Sequence, residues 1–227
     1  MNKRIRVRAS VLLAALIGAT GTAYAAENGG AEQVQGQQSQ ASAATVSAVK
    51  VDRHVRLGKR MVVRGRLSPG EGGRKVRLQA KIARRWRTVD RTLSGSRGRF
   101  RTAWRPGRHG VFRLRVVAPN KGVPNASASR KRGRRAFVYR PAAASWYGPG
   151  FYGNRTGCGG TLGYNTLGVA HKWLPCGTRV KFRYRGRSVT VPVIDRGPYA
   201  GNREWDLTAA TRRRLGFPST GTVWSTK

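Results

Sequence analysis

Between residue 45 and about residue 140, apolar and polar positions alternate along the chain. Val76, Leu78, Ala80 and Ile82 are separated by Arg77, Gln79 and Lys81, and Phe112, Leu114 and Val116 by Arg113 and Arg115. Side chains of a strand point to opposite faces in turn, so this period of two predicts strands with one face in a core. The runs are punctuated by Ser68-Pro69-Gly70, Gly72-Gly73, Ser94-Gly95, Pro106-Gly107 and Pro119-Asn120, residues that set turn geometries. Short strands with a turn signal about every ten residues predict a small β-sandwich over 45–140, of immunoglobulin-like pattern. Trp86 and Trp104 then read as core or inter-strand residues. His54 and His109 stand in basic, turn-rich surroundings, and neither reads as catalytic.

A second alternating region follows. Val180, Phe182 and Tyr184, then Gly186, then Val189, Val191 and Val193 predict a hairpin, with Pro192 marking an edge or irregular position in its second strand. Asp206 precedes the helix formers Leu207 to Ala210, and Leu215-Gly216 supplies a stop, so a short helix capped by Asp206 is expected. One short helix among strands points to a compact β-barrel over 143–227.

The first 44 residues follow neither pattern. Lys3, Arg4, Arg6 and Arg8, the apolar run Val11–Gly18 and the small residues Ala23-Tyr24-Ala25 predict a secretory signal over 1–25. No later apolar run approaches the length of a membrane span, so no stable membrane anchor is expected. Residues 26–44, rich in Gln, Gly, Ala and Ser, read as a flexible linker because they offer too little apolar surface to offset ordering entropy.

Charge narrows the partners. The chain has 46 Lys and Arg against 8 Asp and Glu, and removing the four basic residues of the signal from a formal net charge of +38 leaves +34. Such a field attracts polyanions. Export directs the expectation away from nucleic acid and toward anionic wall polymers gripped by the basic N-terminal module, with a secreted, wall-associated location. The run Arg130-Lys131-Arg132-Gly133-Arg134-Arg135 reads as a solvated charged loop.

Against this excess of cations, Asp195 closes an apolar run and is followed by Arg196-Gly197-Pro198. An Asp at such a place either accepts backbone N–H groups of the turn or performs chemistry. Three stretches bear on the choice: ASWYGPGFYGNRTGCG (144–159), LGVAHKWLPCGTRV (167–180) and VIDRGPYAGNREWDLTAATRRRLGF (193–217). Together they resemble the rare lipoprotein A-like family of septal lytic transglycosylases, more distantly the expansins and barwin-like proteins. The resemblance covers about 80 residues. It implies a six-stranded double-psi β-barrel with one or two short helices, acting on peptidoglycan glycan strands, with the catalytic acid on Asp195 and the motif histidine on His171, a second catalytic candidate that would orient Asp195 or position the sugar, or else a hydrogen-bonded structural histidine.

Trp146, Tyr147, Tyr152, Arg196 and Tyr199 are the expected substrate-binding side chains. No cofactor or metal is expected. Where the family carries a glutamate and often a second acid, this chain has Gly160 and Gly163. Cys158 and Cys176 suggest a disulfide, which in an exported chain accounts for both cysteines.

Glycoside hydrolysis ordinarily takes two carboxyl groups. With only Asp195 in view, transglycosylation is the favoured reaction: the muramic acid 6-hydroxyl attacks its own anomeric carbon, no water is needed, and one residue serves as acid and then base. Acid work requires a raised pKa, which burial would give and the surrounding arginines oppose. The missing acids equally suit a non-catalytic, expansin-like wall-binding or wall-loosening protein. A barwin-like defence or nucleic-acid-binding protein is suggested by charge alone.

Overall fold

The computed structural model describes residues 43–120 and 129–227. The expected signal and all of the linker but its last two residues lie outside them. Ala44 is already buried, with its N–H donated to Asn120 Oδ1 at 3.1 Å, so ordered structure begins inside the segment read as linker.

The alternating pattern becomes two sheets around one core. Strands β1 (Thr45–Val51), β3 (Met61–Ser68) and β6 (Arg99–Trp104) form an antiparallel sheet in the order β1-β3-β6. The second sheet contains β4 (Lys75–Ile82), β5 (Arg85–Leu93), β7 (Gly110–Ala118) and the long β8 (Ser129–Tyr147), with β2 (His54–Arg56) parallel to β8. Met61, Val63 and Leu67 of the first sheet meet Val76, Leu78, Leu114, Val116 and Val138 of the second in one apolar cluster. The strands are held because alternate residues leave water, at about 25 cal/mol for each Å² of apolar surface removed. Trp104 packs edge-on against Phe112, with ring centroids 5.1 Å apart. Arg130–Arg135 is strand, not loop: it lies in β8 and pairs with β7, Arg115 opposite Arg132. Strand pairing satisfies the backbone there, which a reading of side-chain charge alone does not register.

β8 continues past Pro141 into a second core. Its C-terminal part pairs with β13 (Gly221–Ser225), which pairs with β10 (Arg179–Tyr184); β10 pairs with β11 (Arg187–Asp195), β11 with β9 (Val169–Ala170), and β9 with β12 (Trp205–Thr208). β12 then pairs in parallel with β8, Trp205 opposite Ala144, which closes a ring of six strands. This is the double-psi barrel. Val180, Phe182, Val191, Val193, Trp205 and Leu207 fill its interior. The expected hairpin is β10–β11, turned by Arg185 and Gly186 at positive φ, the conformation a two-residue hairpin loop demands. Pro192 faces Arg179 across the hairpin, just before a register shift between Val193 and Asp195.

The helix starts later than expected. Asp206 is not its cap: Trp205–Thr208 is strand, and α1 runs over Ala209–Leu215. Thr208 caps it, its side chain accepting from the Thr211 N–H, and Gly216 closes it in the left-handed conformation. Parallel pairing with β8 holds Asp206 in the strand, and this freedom from capping is what matters for the site.

Candidate functional site

Three chain segments converge beside the end of β11. Asp195 Oδ1 accepts from the Gly157 N–H at 2.7 Å and from the Arg196 N–H at 2.8 Å. The first bond spans 38 residues and ties the loop after β8 to the barrel. It requires glycine: a Cβ on residue 157 would sit 3.1 Å from Asp195 Oδ1 and 2.9 Å from Arg196 Cγ. The Cys158–Cys176 disulfide, with Cα atoms 5.7 Å apart, joins that same loop to the segment after His171. Asp195 Oδ1 thus accepts a turn amide, as one of its two readings expects, and the residue also lines a cavity of about 230 Å³.

Asp206 lines the same cavity. Its Oδ1 accepts from Ser145 Oγ at 2.8 Å. Burial pushes its carboxyl above the usual carboxylate range, and the charge of Asp195 adds to the rise; the Ser145 hydrogen bond and Arg203 pull the other way without reversing it. The cavity thus holds a second carboxyl group, one whose surroundings favour the protonated form. Sequence reasoning missed it by assigning Asp206 to capping. The alternation of buried Trp205 and Leu207 around it was the available signal for a strand.

Tyr147 lines the cavity too, and its hydroxyl is buried without a partner at full hydrogen-bonding geometry. Burial first, then the nearby Asp195 carboxylate, pushes the phenol upward, so it stays a neutral donor. Thr156 Oγ1 and Arg203 Nε, on other walls of the cavity, are likewise buried and unpartnered. Buried polar atoms are nearly always paired. Thr156 Oγ1 and Arg203 Nε are atoms that a bound molecule would satisfy, while the Tyr147 hydroxyl is directed at the Asp195 carboxyl. The cavity, at about 230 Å³, is smaller than the ~300–1,000 Å³ of pockets that enclose a drug-sized ligand.

The other expected site residues divide. Tyr199 stands at the cavity wall with 78% of its surface exposed. Arg196 lines the cavity, but its guanidinium donates to the carbonyls of His171 and Leu174, at 3.2 and 2.8 Å, and reaches Cys176 Sγ at 3.0 Å. It therefore braces the loop more than it offers charge to a ligand. Trp146 and Tyr152 are not among the lining residues: Trp146 packs on the barrel core beneath the Arg212 guanidinium, 4.3 Å away, and Tyr152 meets Tyr164 edge-on.

The imidazole of His171 also stands outside the cavity wall. Its Nδ1 accepts from the N–H groups of Trp173 and Leu174, at 3.1 and 3.0 Å, and its ring lies 4.5 Å from that of Trp205. Two donors on Nδ1 assign the proton of the neutral ring to Nε2. Burial lowers its pKa, with Arg140, Arg196 and Lys172 in the same direction and Glu204 opposing. The link from His171 to Asp195 is through the backbone, His171 N–H to Asp195 C=O at 3.1 Å. Glu204 is held by Arg140 through both of its oxygens. Gly160 and Gly163, where the family carries acids, are not in the wall of the cavity.

Residues 141–224 match the family described as lytic transglycolase. The probable endolytic peptidoglycan transglycosylase RlpA of Synechocystis sp. is 50% identical over 80 residues, 34% of this chain and 25% of that protein. The endolytic peptidoglycan transglycosylase RlpA of Campylobacter jejuni is 44% identical over 82 residues, 35% of this chain and 30% of that protein. Its counterpart in Neisseria meningitidis serogroup A is 44% identical over 82 residues, 35% of this chain and 34% of that protein. The chain spans about a quarter to a third of the length of these relatives. Among solved structures, the Streptomyces papain inhibitor (SPI) aligns with 39% of this chain and 92% of its own at 21% identity and a TM-score of 0.33.

Proposed function

We propose, on the premise that residues 141–224 are an RlpA-like double-psi β-barrel domain, that the chain is a secreted lytic transglycosylase cleaving peptidoglycan between N-acetylmuramic acid and N-acetylglucosamine. The observation that carries this reading is the pairing of Asp195 with Asp206 in one cavity, the second in surroundings that favour its protonated form. Asp206 gives its proton to the departing N-acetylglucosamine O4 as the C1–O4 bond breaks. The muramic acid O6 closes on C1 and its proton passes to Asp195, whose position is set by the Gly157 and Arg196 amides. Solvent then carries that proton back to Asp206. No water is consumed, and the product carries a 1,6-anhydro end.

Tyr147, Thr156 and Arg203 supply hydrogen bonds to the sugar, and Tyr199 an exposed aromatic face. His171 is a positioning residue that fixes the backbone of Asp195 and seats the loop above Trp205. The protein acts outside the cytoplasm, held to the wall by its excess of positive charge. Among the described residues no helix is long and apolar enough to cross a membrane.

A pair of carboxyl groups also suits hydrolysis, so the products decide. Purified sacculi incubated with wild type, Asp195→Asn and Asp206→Asn, with soluble fragments identified by mass spectrometry, should show anhydro ends from wild type alone. Reducing ends would make the protein a hydrolase. Sacculus binding with no released sugar would leave the expansin-like reading.

A further inference from the structure

The outer face of β10 carries Arg179, Lys181 and Arg183 between the inward Val180, Phe182 and Tyr184. Residues two apart on a strand face one way about 6.7 Å apart, so these three cations form a straight row. A cavity of about 320 Å³ lies at one end of the row, with Arg183 and Arg185 from the barrel and His54, Arg56 and Tyr139 from the sandwich in its wall. A second, of about 590 Å³, lies at the other end, where Arg179 and Lys227 face Lys81, Arg108 and His109. No Asp or Glu side chain lines either cavity. Each is built by both lobes.

The cations here are crowded without compensation. His54 is pushed down to about 4, by burial and then by Arg183, Lys181 and Arg53. Burial, Arg53 and Arg183 lower Lys181 as well. The neutral His54 Nδ1 lies 2.7 Å from the hydroxyl of Tyr139, whose own pKa burial raises, so the phenol donates and His54 keeps its Nε2 proton for a ligand. Like charges held together raise the energy of the folded chain, and a bound anion offsets that cost.

Two features choose among anions. A row of single charges at even spacing suits a linear polymer with one charge per repeat. The aromatic faces beside it are covered: Lys181 lies 4.7 Å and Arg53 5.7 Å from the Phe137 ring centroid, and Arg56 lies 4.2 Å from that of Trp224. Single-stranded nucleic acid is gripped by stacking bases on open aromatic faces, and here cations already lie over the Phe137 and Trp224 rings. We propose that the seam between the lobes, along the outer face of β10, binds a linear polyol-phosphate polymer through its phosphodiesters. Arginine forks and Lys181 contact the phosphates, and no base is read. This deepens the anchoring part of the proposed function and relocates the grip from the N-terminal lobe alone to the seam; it does not require glycan cleavage.

The test is titration calorimetry of the full chain with a synthetic glycerol-phosphate oligomer and with an oligothymidylate of equal charge, at several salt concentrations. Each phosphate contact to a single strand contributes about 0.7 to the slope of log affinity against log salt. Lys181→Gln/Arg183→Gln should therefore weaken glycerol-phosphate binding at least tenfold and reduce the slope by about 1.4. The pair Arg99→Gln/Arg101→Gln, exposed on β6 in the other sheet, should change affinity less than twofold. Because the seam substitutions remove mutually repelling charges, melting temperature should hold or rise, which separates lost binding from lost fold. Equal losses in the two variants would reduce the effect to general charge and overturn the site. So would an unchanged seam variant, or tighter binding of the oligothymidylate. Release of anhydro fragments from glycan stripped of anionic polymer is measured alongside, so failure of either reading leaves the other standing.

Discussion

Replacing Asp206 by Asn separates its chemistry from its structural contacts. The amide has nearly the shape of the protonated carboxyl, and its oxygen can still accept from Ser145 Oγ. If Asp206 is neutral when folded, stability near neutral pH should change by no more than about 1 kcal/mol, the worth of one ordinary hydrogen bond. Asp206→Leu should cost more, about 1–3 kcal/mol, because buried Ser145 would lose its acceptor. Activity should respond in the opposite proportion: loss of a general acid lowers the rate about 10²–10⁴-fold, although Asp206→Asn barely disturbs the fold.

The pH dependence supplies an independent readout. A carboxyl whose pKa is raised on folding keeps its proton where the unfolded chain has lost it. Its favourable contribution is complete below the unfolded value and is lost as pH rises through the folded one. Denaturant unfolding of wild type should show that decline, and Asp206→Asn should lack it. Anhydro-fragment release by Asp206→Asn at more than half the wild-type rate, or superimposed stability profiles of the two proteins, would refute the assignment.

Three further outcomes are expected. Cys158→Ser/Cys176→Ser opens a link of sequence separation 18; the chain-entropy model gives a loss of about 3 kcal/mol, seen as a lower melting temperature, and unchanged unfolding would count against the link's structural role. Gly157→Ala would place a methyl against Asp195 and Arg196 and should lower fragment release at least tenfold with little change in melting temperature, since small displacements of a catalytic group are costly; full activity would show that the Gly157 N–H does not position Asp195. His54 and His171 have lowered folded pKa values, so their contribution to stability is complete above the unfolded value near 6.5 and is lost on acidification, down to about pH 4 for His54; His54→Gln should flatten that part of the denaturation profile, and an unaltered profile would refute the shift.

Local pattern made the strands legible. Val76-Leu78-Ala80 and the Val180 to Val193 hairpin could be read because burial of one face repeats every two residues and leaves its mark on the chain itself. Ring closure could not be read that way. β12 pairs with β8 across some sixty residues, and neither segment alone encodes its partner. The same blindness explains Asp206: Asp-Leu-Thr-Ala-Ala satisfies local helix-start chemistry, but Thr208 satisfies it equally, and pairing with β8 selects the later cap. In the basic run 130–135, charge density obscured a strand whose backbone bonds do not depend on side-chain polarity.

Gly160 and Gly163, which stand where the family carries acids, bear on the proposed mechanism through their place in the fold. Those positions are absent from the cavity wall, whereas Asp206, on a different strand, stands in it beside Asp195. The cavity therefore has two carboxyl groups without them, and in the proposed function their unequal surroundings divide the work. Asp195 sits at a turn whose amides bind its carboxylate, and Asp206 is buried against a serine hydroxyl. In the proposed reaction one group accepts a proton and the other gives one, which is the requirement for closing a sugar hydroxyl onto its own anomeric carbon. With two carboxyl groups lining the cavity, their number alone does not choose between hydrolysis and transglycosylation. What favours transglycosylation over hydrolysis is then whether water reaches the face of the sugar opposite Asp206, and the ratio of anhydro to reducing ends measures that access directly.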